Sequence, residues 1–182
     1  MSPKNRCNKM ISLKDVFIRV AGVEEESIVD GPGIRFVLFV QGCATHCPGC
    51  QNPQTWDFSG GSLISAYEIL ERIVRNPMIH GVTFSGGEPF EQAKLLTPLA
   101  TELKKRGFHL MSFTGFTWER IVENPEWRDF LSLLDILVDG PFVQAEKSLE
   151  LNFRGSKNQR ILDVPAGLRQ GKAVLHELND FA

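Results

Sequence analysis

The apolar run RFVLFVQG at residues 35–42 leads directly into CATHCPGC, which places Cys43, Cys47 and Cys50 within eight positions. A short apolar run bounded by glycine predicts a buried strand that ends at the first cysteine. The chain must therefore fold so that the end of a strand and a sulfur-bearing loop coincide. In a reducing setting, cysteines this close serve as metal ligands or redox groups rather than disulfide partners. A closed tetrahedral site takes four ligands, and this loop offers three thiols.

The remaining pattern alternates strands with helices. ISAYEILERIV has helical periodicity, with Ile64, Tyr67, Leu70, Ile73 and Val74 on one face. GVTFS predicts a strand ending at Gly86-Gly87. PFEQAKLLTPLATELKKRG predicts a helix with Pro89 and Glu91 in its first turn and Gly107 at its end, which Pro98 should kink or break. FHLMSFTG and DILVDG read as further strands, RILDV as a last one, and WERIV and EWRDFLSLL as short helices. Such alternation argues for an α/β fold with a mostly parallel sheet built by right-handed crossovers. About five strands are too few for a closed eight-stranded barrel, so an open, partial barrel is expected. The cysteine loop, Gly86–Glu88, Thr114-Gly115 and Asp139-Gly140 each follow a strand, and in a parallel sheet those carboxyl ends form one ligand-binding rim.

A net charge of −2 over 182 residues excludes a strong field for nucleic acid or anionic membrane. The longest apolar run, FVLFV, falls far short of the roughly 20 residues needed to cross a bilayer. The first residues lack the apolar stretch of a signal peptide, so a cytoplasmic protein is expected. The polar opening, residues 1–16, reads as a flexible lead-in that carries Cys7.

The spacing of the three cysteines suits one helical face, but Pro48 and Gly49 oppose a regular helix. A loop wrapped round an ion or cluster is the better expectation, with N–H groups turned toward sulfur. A 4Fe–4S cluster held by three thiolates keeps one iron open, which is what a catalytic metal requires. Two other readings remain: zinc completed by His46, and a closed electron-carrying cluster completed by Cys7.

With these motifs in order, the chain resembles the radical S-adenosylmethionine enzymes. CxxxCxxC is similar to their cluster signature, DGPGIR at 30–35 to the segment preceding it in activases of glycyl-radical enzymes, and SGGEP at 85–89 to their methionine-binding motif. TGFT, LVDGPFVQ and RGSKNQR resemble the carboxyl-terminal half of the anaerobic ribonucleotide reductase activases. The resemblance implies one radical S-adenosylmethionine domain over residues 17–182. It implies an oxidoreductase with a 4Fe–4S cluster on Cys43, Cys47 and Cys50, and S-adenosylmethionine bound near Gly86, Gly87, Glu88, Thr114 and Asp139. Its partners would be a glycyl-radical enzyme and a reduced flavodoxin- or ferredoxin-type electron donor. Asp30, Arg35, Arg154 and Asn158 are expected to meet the partner or its glycine loop, Arg35 also balancing cluster charge. Two departures stand out: Gly49 replaces an aromatic residue near adenine, and Asp139-Gly140-Pro141 lacks a lysine found in some relatives. The other aromatic residues read as core, and His80, His109 and His176 as structural or surface residues.

Overall fold

The run RFVLFV does form a buried strand, and the sheet is assembled around it. In the computed structural model, which describes residues 12–179, β1 spans Phe17–Ser27, β2 Arg35–Val40, β3 Ser62–Ser65, β4 Gly81–Gly86, β5 His109–Phe113, β6 Ile136–Asp139 and β7 Arg160–Asp163. They form one sheet in the order β3-β1-β2-β4-β5-β6-β7. The four central strands, β2, β4, β5 and β6, run parallel. β1 and β3 join antiparallel at one side, and β7 at the other. The order has two ends, so the barrel is open.

The helices are α1 (Ala66–Arg75), α2 (Ala93–Lys105), α3 (Trp118–Glu123), α4 (Pro125–Leu131) and α5 (Val164–Gln170). One sheet face carries Phe36, Leu38, Val82, Phe84, Leu110, Leu137 and Leu162 into the main core against them. Alternate residues on a strand point to opposite faces, so Val37, Thr83, Met111 and Val138 occupy the other face. There Met111, Ile136, Val138 and Ile161 form a smaller cluster covered by Phe113, Phe153 and Leu178.

Three local expectations change. Ile64 belongs to β3, not to a helix, and Tyr67 is exposed; the buried face of α1 is Ala66, Ile69, Leu70 and Ile73. The cause is a cap: Ser65 is extended and its hydroxyl accepts from the Glu68 N–H at 3.1 Å, so the helix starts at Ala66, two residues later than the pattern suggests. Pro89–Gln92 form a separate 3-10 turn, and α2 runs unbroken through Pro98. The carbonyl that Pro98 cannot serve is that of Lys94, an exposed residue, so the lost bond falls on the solvent side of the helix and not in the core. β1 and β3 had no clear signal, because β1 ends in a glutamate run and β3 is four residues long. Cys7 lies outside the described residues.

Phe130 anchors this core, with rings of Phe84 and Phe90 edge-on at 5.2 and 5.3 Å. Phe130→Ala is expected to cost about 3–5 kcal/mol, read as a lowered urea midpoint with an unchanged slope.

Candidate active site at the carboxyl ends of the parallel strands

Immediately beyond β2 the chain turns at Gly42, whose φ is 101°. Gly42 N–H donates to Thr55 O at 2.7 Å and Cys43 N–H to Trp56 O at 3.1 Å, which closes residues 43–54 into a loop. Cys50 N–H donates to Cys47 O at 3.0 Å, so the last two thiols share one tight turn. Asn52 N–H donates to Cys50 Sγ at 3.3 Å, and the Phe142 backbone N–H lies near the Cys47 sulfur, where it favours the thiolate. Burial pushes the Cys47 thiol up, with Cys43 and Cys50 near enough to add to the shift.

The end of β4 is strapped to this loop. Gly87 N–H donates to Val40 O and Glu88 N–H to Gly42 O, each at 2.8 Å. A Cβ on Gly87 would lie 2.3 Å from Gly42 O, and one on Gly86 would lie 2.7 Å from Phe39 Cα. These glycines are thus required first by backbone packing on the cysteine loop. The same strap puts them on the wall of a cavity of about 650 Å³, shared with Cys43, Cys47, Cys50, Glu88, Thr114 and Gly115. That volume is within the roughly 300–1,000 Å³ of small-molecule sites.

Glu88 is 1% exposed. Its Oε1 accepts from the Thr114 hydroxyl at 2.8 Å and the Phe90 N–H at 3.1 Å, and its Oε2 from the Gly115 N–H at 2.8 Å. Burial outweighs these donors and pushes its carboxyl up to about 7. A carboxylate has about four acceptor positions, so three protein bonds leave one for a ligand. Thr114 reaches the site through Glu88, and its hydroxyl also accepts from Phe116 N–H at 3.0 Å.

Other expected residues are distributed differently. Asp139 stands at the carboxyl end of β6, but it follows Leu137 by two positions and so points to the helix face. There its carboxylate accepts from Trp118 N–H at 2.7 Å and pairs with Arg160, and it does not line the cavity. Arg160 is held well above its usual range by this pair. Arg35 is also displaced: it opens β2, at the edge opposite the cysteines, roughly 15 Å along the strand from its end, and is 0% exposed. It neither faces the cysteine loop nor reaches the surface, and burial pushes its guanidinium down to about 10.

Asp30 and Arg154 line the cavity; Asn158 does not, its amide donating to Pro141 O at 2.8 Å. The sequence reading missed Gln159, which lines the cavity and donates to Gly140 O at 3.0 Å while its Oε1 accepts from Gly155 N–H at 2.9 Å. Its place in RGSKNQR was the available signal. Trp56, Phe113, Phe142 and Phe153, read as core, line the cavity as well. Gln144 lies over Gly49, where a Cβ would stand 2.9 Å from its carboxamide.

His46, the fourth ligand in a zinc reading, is exposed and stacked on Trp56 with ring centroids 4.6 Å apart. Among the described residues no three His, Cys, Asp or Glu side chains close round a single ion. An iron–sulfur cluster fits the wall: three half-buried thiols, an N–H donor on the Cys50 sulfur, the Phe142 N–H near that of Cys47, and a buried Trp56 Nε1–H with no partner among the described residues.

Residues 29–162 match the family model described as a 4Fe–4S single cluster domain. The pyruvate formate-lyase-activating enzyme of Clostridium pasteurianum is 40% identical over 124 residues, covering 65% of this chain and 52% of that enzyme. The anaerobic ribonucleoside-triphosphate reductase-activating protein of Haemophilus influenzae is 31% identical over 144 residues, covering 74% and 90%. The chain thus spans about half of the first relative and most of the second. The solved structure of QueE from Escherichia coli is similar over 58% of this chain and 56% of its own, at a TM-score of 0.47 and 22% identity. The chain belongs to the 4Fe–4S single-cluster family and, within it, to the radical S-adenosylmethionine activases. Its cofactors are a 4Fe–4S cluster and S-adenosylmethionine. No helix among the described residues is long and apolar enough to cross a membrane.

The position of Glu88 has a consequence for pH. Its folded value of about 7 exceeds the 4.5 of the free side chain, so the folded state holds the proton more tightly. Its stabilising contribution is complete below pH 4.5 and falls by about 3 kcal/mol as pH rises to 7. Glu88→Gln is expected to lose this slope, and to cost ~1–3 kcal/mol at pH 5 because its amide NH2 meets the Gly115 N–H. Urea unfolding of both forms at pH 5 and 8 checks it; parallel pH profiles would contradict the assignment.

Proposed function

We propose that this chain is an iron–sulfur activase that installs a glycyl radical on an anaerobic ribonucleoside-triphosphate reductase. The observation that carries the reading is the single cavity in which Cys43, Cys47 and Cys50 face Gly86–Glu88 and Thr114-Gly115. In this reading the three cysteines hold the cluster. When bound, the cluster would supply the low-potential electron for reductive cleavage of S-adenosylmethionine, the chemistry that would allow hydrogen to be taken from a glycine α-carbon of the partner.

The protein's own part is binding and orientation. Cys47 must lose a proton that burial makes it keep, so cluster loading releases protons and is favoured as pH rises. The remaining acceptor position on Glu88 would hold the cofactor's ammonium through a charge-assisted hydrogen bond. Val29 and Asp30 form part of the wall, and Leu149, 92% exposed, stands at the rim. The cavity is therefore open to a segment of another protein.

The reductase is favoured because TGFT, LVDGPFVQ and RGSKNQR supply Thr114, Gly140, Phe142, Arg154 and Gln159 to this cavity. The 40% identity to a pyruvate formate-lyase-activating enzyme favours a second reading, in which the partner is a lyase of that kind. The electron donor in either reading is a reduced flavodoxin- or ferredoxin-type protein.

Anaerobically reconstituted, reduced protein is expected to yield 5′-deoxyadenosine from S-adenosylmethionine and a glycyl-radical EPR signal on the reductase. Cys43→Ala, Cys47→Ala and Cys50→Ala should each reduce both to background. A signal on pyruvate formate-lyase alone would move the assignment to the second reading, and full activity in any cysteine variant would remove the cluster ligands.

A further inference from the structure

The displacement of Arg35 from the cysteine loop leaves a buried guanidinium without a catalytic task, yet all five of its N–H donors are engaged. Its Nε donates to Thr83 Oγ1 at 2.6 Å. One terminal nitrogen contacts Pro32 O at 3.0 Å and His109 Nδ1 at 3.2 Å. The other donates to Val82 O at 2.7 Å and His109 O at 3.2 Å. Every one of these acceptors is neutral. A buried charge satisfied in this way carries a desolvation cost that simple packing does not require.

The acceptors show what the arrangement holds. Val82 and His109 belong to β4 and β5, whereas Pro32 belongs to the loop 28–34. Thr83 completes a relay: it accepts from Arg35 and donates its own hydroxyl hydrogen to Asp30 O at 2.8 Å. Two carbonyls of the loop, at residues 30 and 32, are thereby fixed onto the open face of the sheet. A Cβ on Gly31 would stand 2.7 Å from Met111 Sδ and 2.8 Å from Arg35 Cδ, so the loop lies directly on this platform. The residues it carries into the cavity are Val29 and Asp30, with Ile28 and Val29 largely exposed.

We propose that Arg35 and Thr83 are positioning residues for partner recognition: they hold loop 28–34 so that Val29 and Asp30 meet an extended, glycine-bearing segment of the partner enzyme. This rests on the activase reading. It assigns Arg35 to the substrate side of the reaction and removes it from the cofactor side. Neither Arg35 nor Thr83 lines the cavity, so they act only through the loop.

The test separates the two sides. In Thr83→Val, reductive cleavage of S-adenosylmethionine without partner is expected to keep its native rate. The KM for the partner enzyme should rise about tenfold, the scale of one or two lost hydrogen bonds, with kcat little changed. Thr83→Ser, which keeps the hydroxyl, should restore the native KM. Hydrogen exchange at the amides of residues 28–34 should quicken in the valine variant while the amides of β4 and β5 stay protected. Arg35→Lys, with three donors in place of five, should move the KM in the same direction. An unchanged KM with unchanged exchange in the loop would overturn the proposal, as would partner-free cleavage falling in parallel with radical transfer. Failure of the native chain to activate any partner would instead count against the activase reading, and exchange in Thr83→Val would still decide whether the loop is held by this relay.

Discussion

The contact between Gly87 and Gly42 is the constraint from which the site follows. Two backbone segments meet there at a distance that admits no side chain, and the paired hydrogen bonds on either side lock the end of β4 to the start of the cysteine loop. Close packing of that kind cannot relax by rotating a side chain, because there is none to rotate. The relative placement of Cys43 and Glu88 is therefore a property of the backbone. Glu88 extends the lock to a third strand through Thr114 and Gly115. One carboxylate thus joins the ends of β4 and β5 while still facing the cavity.

Buried charge is used at both edges of the parallel strands, with different partners. At the carboxyl edge, Glu88 is satisfied by two N–H groups and a hydroxyl, and the unmet cost of its burial appears as a carboxyl that titrates near neutrality. At the amino edge, Arg35 is satisfied by carbonyls, a hydroxyl and a ring nitrogen, and the cost appears as a lowered guanidinium. Glu88 is held by donors in the loops that follow β4 and β5, and Arg35 by acceptors on β4, β5 and the loop 28–34, and neither group makes a salt bridge with these partners. Asp139 differs: it pairs directly with Arg160 and caps the start of α3, which explains why its carboxylate faces the helices.

The sequence was informative where apolar runs ended in unusual residues. The strand before Cys43, the glycine pair after β4 and the turn at Thr114 were all legible, because each couples a clear apolar run to glycine or a side chain with special chemistry. β1 was not legible, since its outer half is glutamate on an exposed strand, and β3 was hidden by its overlap with the start of a helical pattern. For Asp139, position along the chain gave the correct edge, and only the strand's alternation gave the face. Arg35 misled for a related reason. DGPGIR reads as one motif, but the chain turns back within it, leaving Asp30 at the cavity and Arg35 at the opposite edge. Gln159 and Trp56 were missed because amide and indole groups have no spacing rule of their own.

The open face of the sheet is covered by loops where the other face is covered by helices, and this asymmetry bears on what the cavity can admit. Helices packed on a core resist displacement because many side chains interdigitate at once. The loop 28–34 is instead held by a few hydrogen bonds, from Arg35 and Thr83 beneath it and from the Ser27 hydroxyl and the His80 N–H at its ends, and Leu149 at the rim is almost wholly solvent-exposed. A wall of this kind has a rigid base and a free edge. A small cofactor needs only the base, where Gly86, Glu88 and the cysteines lie. A protein substrate, the reading proposed for this chain, must also pass the edge, and its affinity then depends on how firmly that edge is tied to the sheet beneath it.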